Sequence, residues 1–546
     1  MSMILPILTF LPLLGALLCL VVPREEAGLH RGIGLFTSLC TFVASLLLLP
    51  DFEPAKMSYV VRWPWAPSLG IEFHLGIDGI SLWLVMLTTF LLPVVFLSTW
   101  TAVTDKVREF VVCALVLQTG MLGAFLALDL FLFYVMWEVM LVPMYFIIGI
   151  WGGDRRLYAS IKFVIYTMVG SLLMLVAILF LYIKGHEATG VWSFDYDNLR
   201  KLVLTSAEQK WCFAAFALAF CIKVPLFPLH TWLPDAHVEA PTAGSVILAS
   251  VLLKFGPYGL IRFAMPMFPQ ALLDWAPLLS LLAVIGIVYG SLVAYAQTDI
   301  KKLIAYSSVA HMGFVVLGLM MLNSRGVNGA LYQCLAHGIS TGALFLSVGV
   351  IYERRHTRRM EEFGGLWQRM PVFAAFLLIF TMASIGLPGL SGFVGEFLII
   401  IGTFSANKAG SGMPQVFEHS MLLAALAASG VVFGAVYMLS LFQRVMLGPL
   451  QNPLNRKLRD LSGREIWVLL PMLVMAFWLG IFPKTFLKDI DPAVTATLSQ
   501  IRDKFAAGPA ESKPYMLGGD KAKAADAAGK AEPDRANPPA AAGGKP

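Results

Sequence analysis

Charge is scarce in this chain. Only 14% of its 546 residues are Asp, Glu, Lys or Arg, while 58% are hydrophobic. A soluble domain carries roughly 25% charged residues, so an ordinary soluble protein is excluded. Cysteine is also scarce and unpatterned. Cys19, Cys40, Cys113, Cys212, Cys221 and Cys334 lie singly inside apolar runs, with no CxxC or CxxCH. They read as small core residues, and no metal, haem or iron–sulfur site is expected here. GxGxxG and GxxxxGK[ST] are absent as well, which removes the usual nucleotide cradles. The net charge of +6 sits in short loops between apolar runs. That placement speaks for a membrane surface and against nucleic acid.

What the chain has in abundance is apolar blocks of the length that crosses a bilayer as helix, about 20 residues each. About fourteen such blocks follow one another, which predicts an all-α polytopic membrane protein. The first run, Met3 to Val22, has no positive charge before it and Arg24 after it. This is the reverse of a secretory signal peptide, so the run is expected to stay as a membrane helix. Alternate loops hold Arg24 and Arg31, Lys106 and Arg108, Arg155 and Arg156, Lys301 and Lys302, Arg354 to Arg359, and Arg456 to Arg464. By the positive-inside rule these face the cytoplasm, and an even number of spans then puts both termini on the periplasmic side. The run Arg354-Arg-His-Thr-Arg-Arg359 is expected to set topology and to touch lipid. Between Asp51 and Ile77 the alternation and aromatics predict a small extramembrane hairpin. Lys184 to Lys210 is mixed and is expected to hold a short helix. From Ala506 onward Ala, Gly, Pro and Lys dominate, which predicts a disordered tail over 506–546.

Two spans carry helix breakers at their centres. The seventh reads Cys221-Ile-Lys-Val-Pro-Leu-Phe-Pro228, with Pro225 and Pro228 as the breakers. The twelfth reads Ser384-Ile-Gly-Leu-Pro-Gly-Leu-Ser-Gly-Phe-Val-Gly-Glu396, with Gly386, Pro388 and Gly389. Proline removes a backbone donor, and a membrane tolerates the gap only where protein or trapped water covers it. Interrupted helices at matching places in two halves point to a transport site built on internal repeats. The breaks are five spans apart, which predicts two inverted five-helix repeats. The expected division is 1–109 for the first three helices and the hairpin, 110–263 for the first repeat and 276–443 for the second. Helix fourteen and a following segment then occupy 466–505.

Four ionisable side chains lie deep in apolar runs: Glu138, Lys223, Lys254 and Glu396. Each costs roughly 3 kcal/mol or more to bury in hydrocarbon, so such residues usually pair and mark an ion or proton path. Lys223 lies beside the first break, where unwound carbonyls would solvate its ammonium group. At about 4 Å and an effective dielectric near 20, an opposite charge is worth roughly 4 kcal/mol, enough to decide whether a buried lysine holds its proton. Lys223 is therefore expected to act as switch, Glu138 as its gate, Lys254 as the next carrier and Glu396 as the terminal group. The plain alternative is a set of static ion pairs that only lock helices together. His311 and His337 occupy adjacent spans between Lys254 and Glu396 in sequence and fit a wet proton path. His230, Asp235 and His237 cluster just after the first break; without zinc spacing, they fit proton uptake or loop structure better than metal.

These residues resemble the antiporter-like membrane subunits of respiratory complex I, the proton-pumping NADH:quinone oxidoreductase. The resemblance is carried by Leu75-Gly-Ile-Asp-Gly-Ile-Ser-Leu82, Trp137-Glu138, and the long stretch from Lys223-Val-Pro-Leu-Phe-Pro to Val238-Glu-Ala-Pro-Thr242. Asp299-Ile-Lys-Lys-Leu-Ile-Ala-Tyr-Ser-Ser308 with His311, and Gly386-Leu-Pro-Gly-Leu-Ser-Gly-Phe393 with Glu396, extend it across Met1 to about Lys488. The carboxylate at Glu396 is similar to the M type; L- and N-type relatives usually carry lysine there. The resemblance implies fourteen helices, two inverted repeats with broken helices 7 and 12, and proton transfer by Glu138, Lys223, Lys254, His311, His337 and Glu396. It also implies a bacterial inner membrane, L-type and N-type neighbours, and FMN, iron–sulfur clusters and quinone in partner subunits only. A subunit of a multi-chain cation/proton antiporter or membrane-bound hydrogenase on the same scaffold is the rival reading. The tail after Ala506 departs from the M-type pattern.

Overall fold

The computed structural model of the chain describes residues 3–50, 52–406 and 419–507. Twelve of its helices are long and apolar enough to cross a membrane. They are spans 1 (Ile4–Val21), 2 (Ala27–Leu46), 3 (Leu82–Ala102), 4 (Val107–Leu126), 5 (Leu130–Trp151) and 6 (Arg156–Thr189). Spans 8 (Thr242–Met267), 9 (Pro269–Tyr295), 10 (Ile300–Met320), 11 (Ser324–Arg355), 13 (Ser420–Met446) and 14 (Gly463–Ile481) complete the set. Two further crossings are broken. Span 7 consists of Ser206–Lys223 and Trp232–Glu239, and span 12 of Pro371–Ile385 and Ser391–Phe404. The expected fourteen crossings are thus present, with the breaks where the prolines and glycines lie.

The breaks follow from backbone chemistry. In span 7 the helix ends at Lys223, and Pro225 and Pro228 cannot donate to a ladder. The indole Nε1–H of Trp232 covers one freed carbonyl by donating to Ile222 at 2.9 Å, and Leu226 N–H donates to Cys221 at 2.9 Å. In span 12, Gly386 and Gly389 stand at φ +84° and +89° on either side of Pro388. Only glycine adopts that region without strain, and so the chain can leave one half-helix and start the next. Spans 4–8 and 9–13 each carry their break in the fourth helix. Because five is odd, the second run crosses the membrane in the opposite sense.

Between spans 2 and 3 the chain forms the expected hairpin, β1 (Ser58–Ala66) antiparallel to β2 (Ile71–Ile77). The Lys184–Lys210 segment contains the expected short helix, Tyr196–Leu199. Beyond span 14 the chain adds a helix, Lys484–Ala507, that apolar length did not announce. Its apolar residues fall on one stripe, with Phe486, Ile490, Val494, Leu498, Ile501 and Phe505 buried. That amphipathic face packs against the end of the bundle that carries the hairpin. Asp491 accepts from Ser324 at 2.9 Å and from Asn328 at the start of span 11, and Lys504 donates to the carbonyls of Met267, at the end of span 8, and Arg200. One helix therefore ties both halves together on that face. Past Ala507 the predicted tail lies outside the described residues.

The arginine run at the end of span 11 is engaged in ion pairs and hydrogen bonds at Arg354, Arg355 and Arg358, while Arg359 stays largely exposed. Arg354 makes a two-pronged ion pair with Glu465 at 2.6 and 2.7 Å, Arg355 donates to Asn455 at 2.7 Å, and Arg358 pairs with Asp299 at 3.3 Å. A guanidinium fork suits such carboxylate pairing, and here it clamps spans 10, 11 and 14 at the basic-loop face.

Candidate functional site

Lys254 is held by an irregularity in span 8. The helix Thr242–Ser250 gives way at Val251 (φ −121°, ψ −54°) to a tight 3₁₀ turn, Leu252–Lys254. Pro257 explains this, because its ring cannot coexist with an α-helical carbonyl at Leu253. The turn brings the Lys254 ammonium onto the carbonyl of Ala249 and to 2.6 Å from Nδ1 of His337 in span 11. His337 lies with its ring centroid 5.6 Å from that of His311 in span 10. His311 Nδ1 meets Oε1 of Glu396 at 2.9 Å, and Ser384 donates to His311 Nε2 at 3.3 Å. Gln333 of span 11 also donates to Glu396, at 3.0 Å. Lys254, His337, His311 and Glu396 therefore form a chain of neighbours across four spans, each at most 6% exposed.

At the other end the geometry differs from expectation. Lys223 makes no hydrogen bond with unwound carbonyls. Its ammonium lies over the rings of Trp137 at 5.1 Å and Phe163 at 5.4 Å. Ring faces attract a cation but accept no proton, so this setting holds charge without leading it away. The break turns the freed carbonyls to Trp232 and Leu226 instead, which is why none reaches Lys223. Glu138 is the carboxylate that acts on Lys223. The two approach no closer than the 4.0 Å limit of an ion pair, and one Glu138 oxygen has no hydrogen-bond partner. In this structure no ion pair closes between them. Trp137, Phe133, Phe220 and Phe255 pack edge to face or tilted between this pair and span 8.

The His230–Asp235–His237 cluster comes apart in three dimensions. The half-helix Trp232–Glu239 points its residues to different sides. Asp235 pairs with Lys162 of span 6 at 2.7 Å near the surface, where the carboxylate is 32% exposed. His230 packs among Phe227, Tyr289 and Tyr306. His237 turns inward, fully buried, its ring stacked on Phe345 of span 11 at 4.7 Å. Neither of its ring nitrogens has a partner.

Several buried ionisable groups went unnoticed in the sequence, Lys301, Arg262 and Asp129 among them. Lys301, counted as a loop residue, is 5% exposed and donates to the carbonyl of Ala240 at 2.7 Å, with His237 among the groups its charge reaches. Arg262 is buried on a π-turn of span 8 and pairs with Asp78 at the start of span 3. The signal for Arg262 was its place in an apolar run; for Lys301 there was none, because Lys301 and Lys302 look alike. A cavity of about 430 Å³ opens on the basic-loop face beside Ser98, Lys106, Arg156 and Thr242. Another of about 280 Å³ lies on the hairpin face, over Asp78, Arg262 and Arg200. On that face Asp129 caps span 5 by accepting from the N–H groups of Phe131 and Leu132, both at 2.9 Å. Burial, with Asp195 nearby, pushes its carboxyl up to about 6 despite these bonds.

A bundle of fourteen crossings, two of them broken, with acids, amines and imidazoles buried in its interior, defines an antiporter-like membrane subunit. Residues 127–422 match the family described as NADH:quinone oxidoreductase/Mrp antiporter, TM. The chain is 45% identical to NADH-quinone oxidoreductase subunit M of Rhodobacter capsulatus over 90% of its length and 96% of the relative's. Its structure resembles a chain of respiratory complex I from Thermus thermophilus at TM-score 0.81 and 33% identity, covering 91% of this chain and 99% of that one. A chain of the Mrp complex from Dietzia shares the fold, at TM-score 0.78 and 19% identity over 92% and 99%. The chain belongs to the M-type subunit family of NADH:quinone oxidoreductase, respiratory complex I.

Proposed function

We propose that this chain, as the M-type membrane-arm subunit of a proton-translocating NADH:quinone oxidoreductase, moves protons through Glu138, Lys223, Lys254, His337, His311 and Glu396. The reading is supported above all by the contiguous Lys254–His337–His311–Glu396 chain, buried at the centre of the bundle. Each member both binds and releases a proton, and each lies beside a group whose charge alters its hold. When Glu138 is charged it favours the ammonium form of Lys223. When the pair is drawn apart, Lys223 gives its proton towards Lys254. Moving one charge against 100 mV costs about 2.3 kcal/mol, comparable to what one neighbouring charge supplies. His237 takes up protons from the basic-loop face, and Glu396 is the terminal group.

The redox chemistry belongs to other subunits, which hold FMN, iron–sulfur clusters and quinone. L-type and N-type antiporter-like chains flank this one in a bacterial inner membrane, with the basic loops in the cytoplasm and both termini in the periplasm. Residues 110–263 and 276–443 are the two functional repeats. The test is Lys254→Met in the assembled complex, read as protons pumped per NADH oxidised in inside-out vesicles. Pumping should fall while the complex remains assembled. Unchanged stoichiometry in assembled complexes would refute the assigned roles.

A further inference from the structure

Span 11 is an unbroken helix of 32 residues, Ser324–Arg355. Residues four apart on a helix share a face. One such stripe reads Gln333, His337, Thr341, Phe345. Gln333 donates to Glu396, His337 meets Lys254, and Phe345 stacks on His237. Thr341 lies between the two histidine contacts. It is fully buried, and its hydroxyl has no partner.

That hydroxyl departs from the common pattern of this chain, as does that of Thr381 in span 12. Buried helical threonines ordinarily donate back to the carbonyl four residues earlier. Thr41, Thr88, Thr119, Thr167 and Thr403 all do so, at 2.8 to 3.2 Å. Thr341 does not, although His337 offers the corresponding carbonyl. Polar atoms on and beside the stripe are unpartnered too: Gln333 Oε1 and His337 Nε2 on span 11, and both ring nitrogens of His237 on the neighbouring half-helix. Each buried polar atom left so costs about 1–3 kcal/mol. Water between Thr341 and the two histidines would give these atoms partners, since the three side chains together supply the two or more polar groups that an internal water needs.

We propose that Thr341 is the hydroxyl link that carries protons from His237 to His337, a branch that feeds the buried chain at Lys254 from the basic-loop face. The inference rests on the function proposed above and adds a residue to it. With Lys254 neutral, His337 donates its Nδ1–H to Lys254 and presents Nε2 as an acceptor. A proton leaving His237 is taken up by Thr341 Oγ, directly or through water, as the hydroxyl's own proton passes to His337 Nε2. His337 then releases its Nδ1 proton to Lys254. One proton enters and one leaves, His237 ends neutral, and Lys254 ends as ammonium. Thr341 is a bridge, never a resting place for charge.

The test uses the whole complex in inside-out membrane vesicles. Thr341→Val keeps the shape and removes the hydroxyl, whereas Thr341→Ser keeps the hydroxyl and removes a methyl. The valine variant should lose at least half of its NADH-driven pumping and show an increased rate ratio between H₂O and D₂O; the serine variant should restore both. A role in packing alone would leave the isotope ratio unmoved and would not distinguish valine in favour of serine. Should the valine variant fail to assemble, Thr341→Cys, whose thiol is a weak donor, carries the same expectation. Normal pumping and isotope ratio with valine or cysteine, or equal loss with serine, overturns the proposal. Lys254→Met separates the two readings. If it abolishes pumping while Thr341→Val does not, the link fails and the chain stands; if neither matters, both fail.

Discussion

Replacing Glu396 by glutamine isolates charge from shape. Glutamine keeps the length of the side chain and an oxygen that still accepts from Gln333, so packing and most of the hydrogen-bond pattern survive. What disappears is the negative charge 2.9 Å from His311 Nδ1. With charge centres about 4 Å apart and an effective dielectric near 20, holding a positive charge on His311 becomes less favourable by roughly 4 kcal/mol. That reduces the occupancy of the charged state about a thousandfold. A proton that must pause on His311 then meets a step this much rarer, and NADH-driven pumping should drop by roughly tenfold or more. Acidification of inside-out vesicles reports it, with complex assembly checked on native gels and quinone reductase activity measured with an uncoupler present. The reasoning is refuted if fully assembled Glu396→Gln complexes pump at the original ratio of protons to NADH. It is equally refuted if Glu396→Asp, which keeps the charge, is as impaired as the glutamine variant.

The remaining predictions concern the hairpin face. Burial raises the Asp129 carboxyl above its unfolded value near 4, so the native state binds the extra proton between about pH 4 and 6. This group's contribution to stability therefore falls as pH rises through that window and is flat above it, by an amount of order 3 kcal/mol. Asp129→Asn should flatten the pH dependence of hydrogen exchange at Phe131 and Leu132 between about pH 4 and 6; an unchanged profile counts against it. Asp491→Ala should weaken docking of the Lys484–Ala507 helix by about 1 kcal/mol, because Ser324 and Asn328 lose their acceptor. Faster proteolysis within that helix is the expected result, and native-like resistance would contradict it.

The crossings and their breaks were legible because apolar length and proline chemistry act locally. Other boundaries carried local signals that apolar length passes over. Span 7 begins at Ser206, ahead of the apolar run, because Thr205 and Glu208 form a capping box. Pro257 announced the irregular turn under Lys254. The charge chain was legible as a set of residues, since burial of ionisable groups is costly wherever it occurs. Its connectivity was not, because which imidazole meets which partner depends on how spans 8, 10, 11 and 12 pack. For the same reason His230, Asp235 and His237 read as one cluster yet separate, since His230 lies in the turn before the half-helix while Asp235 and His237, two apart on it, face different sides. Lys301 looked like its neighbour Lys302, and only the carbonyl of Ala240 distinguishes them. The final helix escaped notice because its stripe of apolar residues is diluted by charge on the other face.

That final helix has a mechanical corollary. Moored at Asp491 to the start of span 11 and at Lys504 to the end of span 8, it binds the two repeats like the spine of a book. Spans 8 and 11 are thereby held at a fixed separation on the hairpin face, and any relative movement of the two helices there must break one of these moorings.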